Sequence, residues 1–209
     1  MGKGCFISFE GIEGCGKTTV AKKIFAMLST TLDCILTREP GGSDKAERIR
    51  QLVLSSDMQG ITSQTECLLM YAARMQHLHD TIRPALASEK IVICDRFLDA
   101  SYAYQHGGRG VSLSLLRGLD EAIVADTFPD MTIFLDAPVD VCLRRIQNRD
   151  DNNRFDHESV VFYTAVRDVY LTRLSDFPDR IIGVDATLPL DKVVSIVLNH
   201  ISKRLYKNG

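Results

Sequence analysis

The stretch Cys5-Phe-Ile-Ser-Phe-Glu-Gly-Ile-Glu-Gly-Cys-Gly-Lys-Thr-Thr19 decides the fold of this chain. Its first five residues are mostly apolar, which is typical of a buried strand. Three glycines then mark a turn, and Lys17 opens a segment whose apolar residues recur at helical spacing. A strand, a glycine-rich turn and a helix in this order, with the pattern G-x-x-x-x-G-K-[ST], predict a phosphate-binding loop.

Phosphate binding by such a loop has a direct physical basis. Glycines let backbone N–H groups come close to a phosphate chain, and the following helix adds the positive end of its dipole. Lys17 then places a charge near the outer phosphates, and the Thr18 hydroxyl can ligate Mg²⁺. The alternative is a glycine-rich turn that binds nothing, which the flanking strand and helix disfavour.

The composition is that of an ordinary soluble domain. The 209 residues, 45% hydrophobic and 25% charged, suit one α/β domain, and the net charge of −2 offers no general attraction to nucleic acid or anionic membranes. The sequence has no signal-peptide pattern and no apolar run of transmembrane length. The six cysteines contain no C-x-x-C pair and fit a reducing compartment. We therefore expect a cytoplasmic protein that binds neither nucleic acid nor membranes.

Short apolar segments alternate with helical patterns along the whole chain. After the first strand, further strands are predicted over residues 33–37, 90–95, 131–136 and 180–184. This alternation predicts a single domain over residues 1–209, with a five-stranded parallel sheet covered by helices on both faces. Ligands bind at the carboxyl ends of such strands, so the glycine-rich loop, residues 38–42, residues 95–96 and the segment after Asp185 should line one crevice. Residues 105–110 are predicted to form a loop.

A second group of polar residues is expected beside the phosphate loop. Asp95 ends a buried strand, where a carboxylate can reach Mg²⁺; the alternative is that it only caps a helix. Arg96 follows it and cannot face an apolar core unpaired. Together with Arg38 and Arg74 from two other segments, Arg96 predicts a second anion site in the crevice.

Residues 148–154 are polar and offer no core to bury, which predicts a mobile lid at about residues 148–156. Arg149 and Arg154 in this segment can stabilise the charge of a phosphoryl group in transfer. The alternative is an ordinary exposed loop. Two anion sites and a basic lid favour transfer from ATP to a second phosphate over simple hydrolysis.

With these motifs in place, the chain resembles the bacterial thymidylate kinases, a family of P-loop nucleoside monophosphate kinases. The resemblance covers nearly the whole chain, and its most discriminating part is Ala103-Tyr-Gln105 followed by Gly107-Gly-Arg-Gly110. It is further carried, in order, by residues 11–19, Thr37-Arg-Glu-Pro-Gly-Gly42, Tyr71-Ala-Ala-Arg74, Asp95-Arg-Phe97 and Asp185-Ala-Thr187. It implies a three-layer P-loop NTPase fold and a homodimer that phosphorylates dTMP to dTDP with ATP and Mg²⁺, in dTTP synthesis.

The resemblance also implies roles for single residues. Implied ATP contacts are Gly11, Ile12, Glu13, Gly14, Cys15, Gly16, Lys17, Thr18, Thr19 and Arg144. Implied dTMP contacts are Glu13, Arg38, Met70, Arg74, Arg96, Ser101, Tyr104 and Gln105. Implied catalytic residues are Lys17, Glu13 and Asp95 with Arg149 or Arg154, and implied metal ligands are Thr18 and Asp95.

Within the implied acceptor site, Arg38 and Arg96 would hold the dTMP phosphate, and Arg74 would donate to a thymine carbonyl. Tyr104 would crowd a 2′-hydroxyl and so favour deoxyribose. Met70 departs from the family pattern, which usually has a phenylalanine there to stack on thymine. The phosphate loop itself contains no arginine, so the lid must supply the catalytic one, Arg149 before Arg154.

Three other interpretations remain open at this point. A nucleoside kinase or another monophosphate kinase would share the phosphate loop, although a nucleoside brings no phosphate to a second anion site. A nucleotide-dependent switch or binding module would need no catalytic lid, and the chain has no N-K-x-D guanine motif. A purely structural oligomer would leave the phosphate loop unexplained.

Overall fold

A parallel sheet of five strands forms the centre of the protein. The computed structural model describes residues 4–147, 155 and 158–207. The strands are hydrogen-bonded in the order β2-β3-β1-β4-β5, all parallel. Their bounds are β1 Cys5–Glu10, β2 Cys34–Arg38, β3 Ile91–Asp95, β4 Met131–Asp136 and β5 Ile181–Asp185. The predicted fold class is confirmed, and each predicted strand lies within one residue of the observed one.

Helices connect the strands. They are α1 Lys17–Leu28, α2 Asp44–Leu54, α3 Ser63–His77, α4 Arg83–Ala87, α5 Leu98–Ser101, α6 Leu113–Leu119, α7 Val139–Gln147, α8 Val160–Asp176 and α9 Leu190–Lys207. Three of them continue into π-helical segments, namely Leu78–Ile82 after α3, Tyr102–Gly108 after α5 and Asp120–Val124 after α6. No helix in the described ranges is long and apolar enough to cross a membrane.

The prediction of a loop over residues 105–110 is correct only for residues 109–110, because the helical backbone continues to Gly108. Gly107 and Gly108 serve close packing against α8. A Cβ at Gly107 would lie 2.7 Å from the Val169 side chain, and one at Gly108 would lie 2.4 Å from the Phe162 ring. Small residues at this crossing therefore let the π-helical segment approach α8, a contact that the sequence pattern of a turn does not reveal.

Alternating side chains of the strands pack on the two faces of the sheet. Phe6, Val92 and Cys94 pack with Leu78 and other side chains of the α3 side. Residues of the opposite parity, such as Ile7 and Ile93, pack with helices that include α1 and α9. Since β1 is central, all six of its residues are buried, and its carboxyl end opens directly into the glycine-rich loop.

A buried carboxylate ties α5 to α8 and β5. Asp99 is fully buried and accepts hydrogen bonds from the Arg173 guanidinium on α8. Arg180, just before β5, donates from Nη1 to Asp99 Oδ2 at 2.7 Å and from Nη2 to Oδ1 at 2.9 Å. One carboxylate thus compensates two guanidinium groups, and it fixes the helix that begins three residues after β3.

We expect Asp99→Asn to lower the free energy of unfolding by about 3 kcal/mol, because it leaves two largely buried guanidiniums without their counter-charge. Urea denaturation monitored by circular dichroism measures this loss. The control is Asp176→Asn at the exposed end of α8, which should stay within about 0.5 kcal/mol of the parent. Equal free energies of unfolding for Asp99→Asn and the control would show that Asp99 does not stabilise the fold.

Candidate active site

The glycine-rich loop after β1 is pressed against two neighbouring elements. A Cβ at Gly14 would lie 2.3 Å from the Cys142 carbonyl oxygen on α7, and Gly14 has a φ of 78°. A Cβ at Gly11 would lie 2.5 Å from the Leu135 carbonyl oxygen on β4. Only glycine fits either position. These contacts place the N terminus of α1 at the edge of the sheet where the strands end.

Lys17 and Thr18 lie at the start of α1, beside the end of β3. Lys17 is 6% exposed, and its Nζ donates to the Ile12 carbonyl oxygen at 2.8 Å, so the side chain spans the loop. The Thr18 hydroxyl donates to the Asp95 carboxylate. The predicted meeting of these residues is therefore observed: an ammonium, a hydroxyl and a carboxylate converge next to the loop.

Arg96 joins the loop to the π-helical segment Tyr102–Gly108. Its Nη2 donates to Glu13 Oε1 at 2.7 Å and to the Tyr104 hydroxyl at 3.1 Å, and its Nη1 donates to the Gly11 carbonyl oxygen at 3.1 Å. The Tyr104 hydroxyl donates in turn to the second oxygen of Glu13. Glu13, Arg96 and Tyr104 thus form one closed network at the loop.

The charges in this network determine the pKa of Glu13. Burial raises the pKa of that carboxyl, but the charges of Arg96 and Lys17 and the hydrogen bond from Tyr104 outweigh burial, so the net pKa is lowered. Burial alone would lower the pKa of Arg96, yet Glu13, together with Tyr104, Tyr170 and Asp95, outweighs burial and raises that pKa well above its usual range. Glu13 therefore stays ionised and Arg96 stays charged.

A cavity lies beside the loop, which we name the Arg74 cavity. Seven of the eight residues predicted to contact the acceptor line it, namely Glu13, Met70, Arg74, Arg96, Ser101, Tyr104 and Gln105. The eighth, Arg38, lines an adjoining cavity with Thr18 and Asp95 and pairs with Glu47 at 3.1 Å. The structure therefore brings the predicted acceptor residues together, with Arg38 on the side of the phosphate loop.

Arg74 is held rigidly before any ligand arrives. Its Nε donates to Glu39 Oε2 at 2.7 Å and its Nη2 to the Phe97 carbonyl oxygen at 3.0 Å. Within the described ranges, its buried Nη1 has no hydrogen-bond partner. His77 fixes Glu39 from behind, with Nδ1 at 3.1 Å from Glu39 Oε1 and Nε2 at 2.6 Å from the Thr37 hydroxyl. The peptide bond between Glu39 and Pro40 is cis.

Arg144, which was expected to contact ATP, lies on the exposed side of α7 and pairs with Asp140 at 2.9 Å. Its neighbour Arg145 reaches the loop instead, with Nη1 at 3.4 Å from the Gly14 carbonyl oxygen and Nη2 at 3.1 Å from the Ala186 carbonyl oxygen. Arg149 and Arg154 of the expected lid lie outside the described residues.

Arg50 and Phe155 also line the Arg74 cavity, and sequence reasoning assigned neither of them a role there. A signal for Arg50 existed, because it lies four residues after Ala46 and three before Val53, the two buried residues of α2. Its Nη1 donates to the Pro40 carbonyl oxygen at 2.8 Å. Burial first, and then repulsion from Arg38, lowers the pKa of Arg50, with a further contribution from Arg96. Three cations therefore converge near Pro40.

Comparison with known proteins places the chain in a family. A family model described as thymidylate kinase matches residues 9–197. The chain belongs to the thymidylate kinase family. The thymidylate kinase of Leuconostoc mesenteroides is 46% identical over 208 residues, covering 96% of this chain and 98% of that protein. The Pseudomonas putida thymidylate kinase is 46% identical over 191 residues, 91% of either chain.

A solved structure agrees with this family membership. The crystal structure of thymidylate kinase from Ehrlichia chaffeensis superposes with a TM-score of 0.78 at 32% identity, covering 95% of this chain and 98% of that one. The expected family and its P-loop fold are thereby confirmed. The thymidylate kinase signatures of the sequence now coincide with the glycine-rich loop and the Arg74 cavity.

Glu10 lies directly beneath this site and makes the stability of the folded protein sensitive to pH. It is fully buried at the end of β1, where Oε1 accepts from the Phe97 backbone N–H at 2.8 Å and Oε2 from the Tyr170 hydroxyl at 2.8 Å. Burial and the nearby Asp99 raise the pKa of Glu10 to about 7, against the opposing effects of Arg96 and the two hydrogen bonds. Its usual value is 4.5.

Between these two pKa values the folded protein binds more protons at Glu10 than the unfolded chain does. The contribution of Glu10 to stability therefore falls as the pH rises through this window. We expect Glu10→Gln to increase the melting temperature more at about pH 8 than at about pH 5, because the amide cannot ionise. The exposed Glu121→Gln is the control. An equal change at both pH values would contradict the role of Glu10.

Proposed function

We propose that this chain transfers the γ-phosphoryl group of ATP to the phosphate of dTMP, giving dTDP for dTTP synthesis. Family membership supports this reaction. The observation that carries it is the wall shared by the two sites: Glu13 of the phosphate loop and Arg96 both line the Arg74 cavity. A donor phosphate chain and a second nucleotide are then held side by side, as transfer requires.

The donor site is the glycine-rich loop with Lys17. Backbone N–H groups of the loop and the α1 dipole would hold the ATP phosphates. Lys17 would exchange its bond to the Ile12 carbonyl oxygen for the transferring phosphoryl group. On the other side of the loop, Arg145 bridges Gly14 and Ala186. Arg145 adjoins the segment after β5, which supports placing the ATP base beside that segment. Arg144 would contact the ATP base there only if its side chain moved.

Thr18 and Asp95 fit a Mg²⁺ ion. They offer a hydroxyl and a carboxylate already in contact, which are oxygen ligands of the type that Mg²⁺ prefers alongside substrate phosphates. A bound Mg²⁺ would neutralise charge on those phosphates. Asp95 would otherwise repel the ATP phosphates, so its place beside the loop favours a metal site.

The acceptor phosphate is best placed between Arg96, Arg50 and Arg38. Arg96 and Arg50 line the Arg74 cavity, and Arg38 lies at the adjoining one. Each guanidinium is already oriented, by Glu13, the Pro40 carbonyl and Glu47 respectively. Such preorganised donors stabilise the negative charge of a transferring phosphoryl group without a costly rearrangement.

The nucleoside of dTMP would occupy the deeper part of the Arg74 cavity. The partnerless Nη1 of Arg74 supports a hydrogen bond to a thymine carbonyl, since a buried unsatisfied donor is costly until it is paired. Tyr104 and Glu13 are within reach of the sugar, and Ser101 and Gln105 lie on the cavity wall. Met70 also lines the cavity, and its thioether can contact the base in place of an aromatic ring.

The proposal also covers the domain, the lid, the cellular location and the oligomeric state of the enzyme. We propose one domain over residues 1–209 with a lid at about 148–156, in which Arg149 or Arg154 stabilises the transferring group. A cytoplasmic location fits the six cysteines, which are all free thiols. A homodimer fits the exposed apolar side chains Leu68 and Met75 on α3 and Leu52 on α2, which are 50%, 59% and 47% exposed.

The proposed reaction is tested by measuring ADP release with ATP·Mg²⁺ against dTMP, dUMP, UMP, CMP, AMP, GMP and thymidine. We expect turnover with dTMP well above that with every other acceptor. Lys17→Ala should abolish turnover and keep the circular-dichroism spectrum unchanged. Turnover with thymidine but with no monophosphate would make the chain a nucleoside kinase, and ATP binding without any turnover would make it a binding module.

Arg50→Gln should raise the KM for dTMP by about tenfold, because a charge-assisted hydrogen bond to the acceptor phosphate is lost. The KM for ATP should stay unchanged. The matched control is Arg48→Gln, two residues earlier on the exposed side of α2. Steady-state kinetics with each substrate varied in turn measures both constants. If Arg48→Gln and Arg50→Gln behave alike, the phosphate lies elsewhere.

A further inference from the structure

Arg109 lies where three elements meet, outside the contacts made by the phosphate loop. It follows the π-helical segment Tyr102–Gly108 and pairs with Glu66 on α3 at 3.5 Å. Its Nη2 donates to Glu158, just before α8. Its guanidinium also lies 4.7 Å from the ring centroid of Phe162 and 5.7 Å from that of Phe155. One side chain thus contacts both acidic partners and two aromatic rings.

The contact of Arg109 with Glu66, which we call the floor arm, reaches the floor of the Arg74 cavity. Glu66 is 2% exposed, and a carboxylate so deeply buried requires a cation. Its Oε1 accepts a hydrogen bond from Gln105 Nε2 at 3.1 Å. Since Gln105 lines the cavity, Arg109 fixes the orientation of a cavity side chain through Glu66.

The contacts of Arg109 with Glu158 and Phe155, which we call the rim arm, reach the rim of the same cavity. Phe155 lines the cavity, is 6% exposed and packs edge-on to Tyr104 with a centroid distance of 6.1 Å. The Glu158 backbone N–H donates to the Phe155 carbonyl oxygen at 3.0 Å, so a backbone hydrogen bond joins the two residues. By holding Glu158 and facing the Phe155 ring, Arg109 anchors Phe155 against the cavity.

We propose that Arg109 is a positioning residue that holds Gln105 and Phe155 in register, so that the floor and the rim of the Arg74 cavity contact the nucleoside of the acceptor together. The inference rests on the proposed function, because it assigns that acceptor to the Arg74 cavity. An arginine that only stabilised the fold would affect both substrates alike. A positioning arginine affects the acceptor alone.

The rim arm can be tested without any substrate, because the chain contains no tryptophan. Phe155→Trp introduces one fluorescent indole at the cavity rim. Adding Glu158→Gln cuts the contact to Arg109 and leaves the buried Glu66 paired. We expect a red-shifted emission maximum and stronger quenching by acrylamide than with Phe155→Trp alone. Identical emission and quenching in the two proteins would overturn the rim arm.

The link between the arms is tested by kinetics. Glu66→Gln combined with Arg109→Gln removes the cation without leaving a buried charge unpaired. We expect the KM for dTMP to rise about tenfold, with the KM for ATP and kcat changed less than about twofold. Arg117→Gln, an exposed arginine on α6, is the control and should match the parent. An unchanged KM for dTMP, or an equal change for both substrates, would overturn the proposal.

The two experiments separate this inference from the proposed function. If the parent protein does not phosphorylate dTMP, the proposed function fails, and with it the assignment of the acceptor nucleoside. The fluorescence comparison still decides whether Arg109 holds Phe155 in place. If dTMP is phosphorylated but neither the emission nor the KM responds, only the role of Arg109 fails.

Discussion

The ion pair between Arg96 and Glu13 is the contact on which the site depends. It joins the end of β3 to the glycine-rich loop after β1, two neighbouring strands of the sheet. Arg96 adopts a φ of 72°, a region that non-glycine residues rarely occupy, at a cost of order 1 kcal/mol. Its backbone N–H donates to the Phe9 carbonyl oxygen at 2.9 Å, which holds this conformation. The guanidinium therefore points at the loop before any ligand binds.

Paired arginines recur around this contact, and the pairing explains how the protein keeps so many cations in one crevice. Glu39 holds Arg74, and Glu66 holds Arg109, each carboxylate at most 5% exposed. A buried carboxylate cancels most of the repulsion between neighbouring guanidiniums and fixes the orientation of each guanidinium. The N–H groups that remain can then bind an anionic ligand with little loss of side-chain entropy.

The sequence predicts the elements of this site better than it predicts which side chains face each other. Apolar runs located all five strands, because a parallel sheet covered on both faces needs continuous hydrophobic strands. Arg145 contacts the loop, whereas Arg144, which was expected to contact ATP, pairs with Asp140, because successive helical residues point about 100° apart and the rotation of α7 depends on its packing. Gly107 and Gly108 were misinterpreted as part of a loop, because the sequence does not show that they pack against α8. Arg50, by contrast, was detectable from its spacing to Ala46 and Val53.

In the proposed acceptor site, recognition of the base would rest on polar geometry more than on stacking. Met70 is flexible, so it fills space beside a ring without fixing the ring's angle. The Arg74 guanidinium is instead fixed by Glu39, which His77 and the Thr37 hydroxyl hold in turn. Nε and Nη2 already have partners, and Nη1 has none among the described residues, so Nη1 would be the donor that meets the proposed ligand. A base that offers an acceptor at that position would satisfy the buried donor, and one that does not would leave it unpaired, so under the proposed function the rigid network behind Arg74 would set the discrimination.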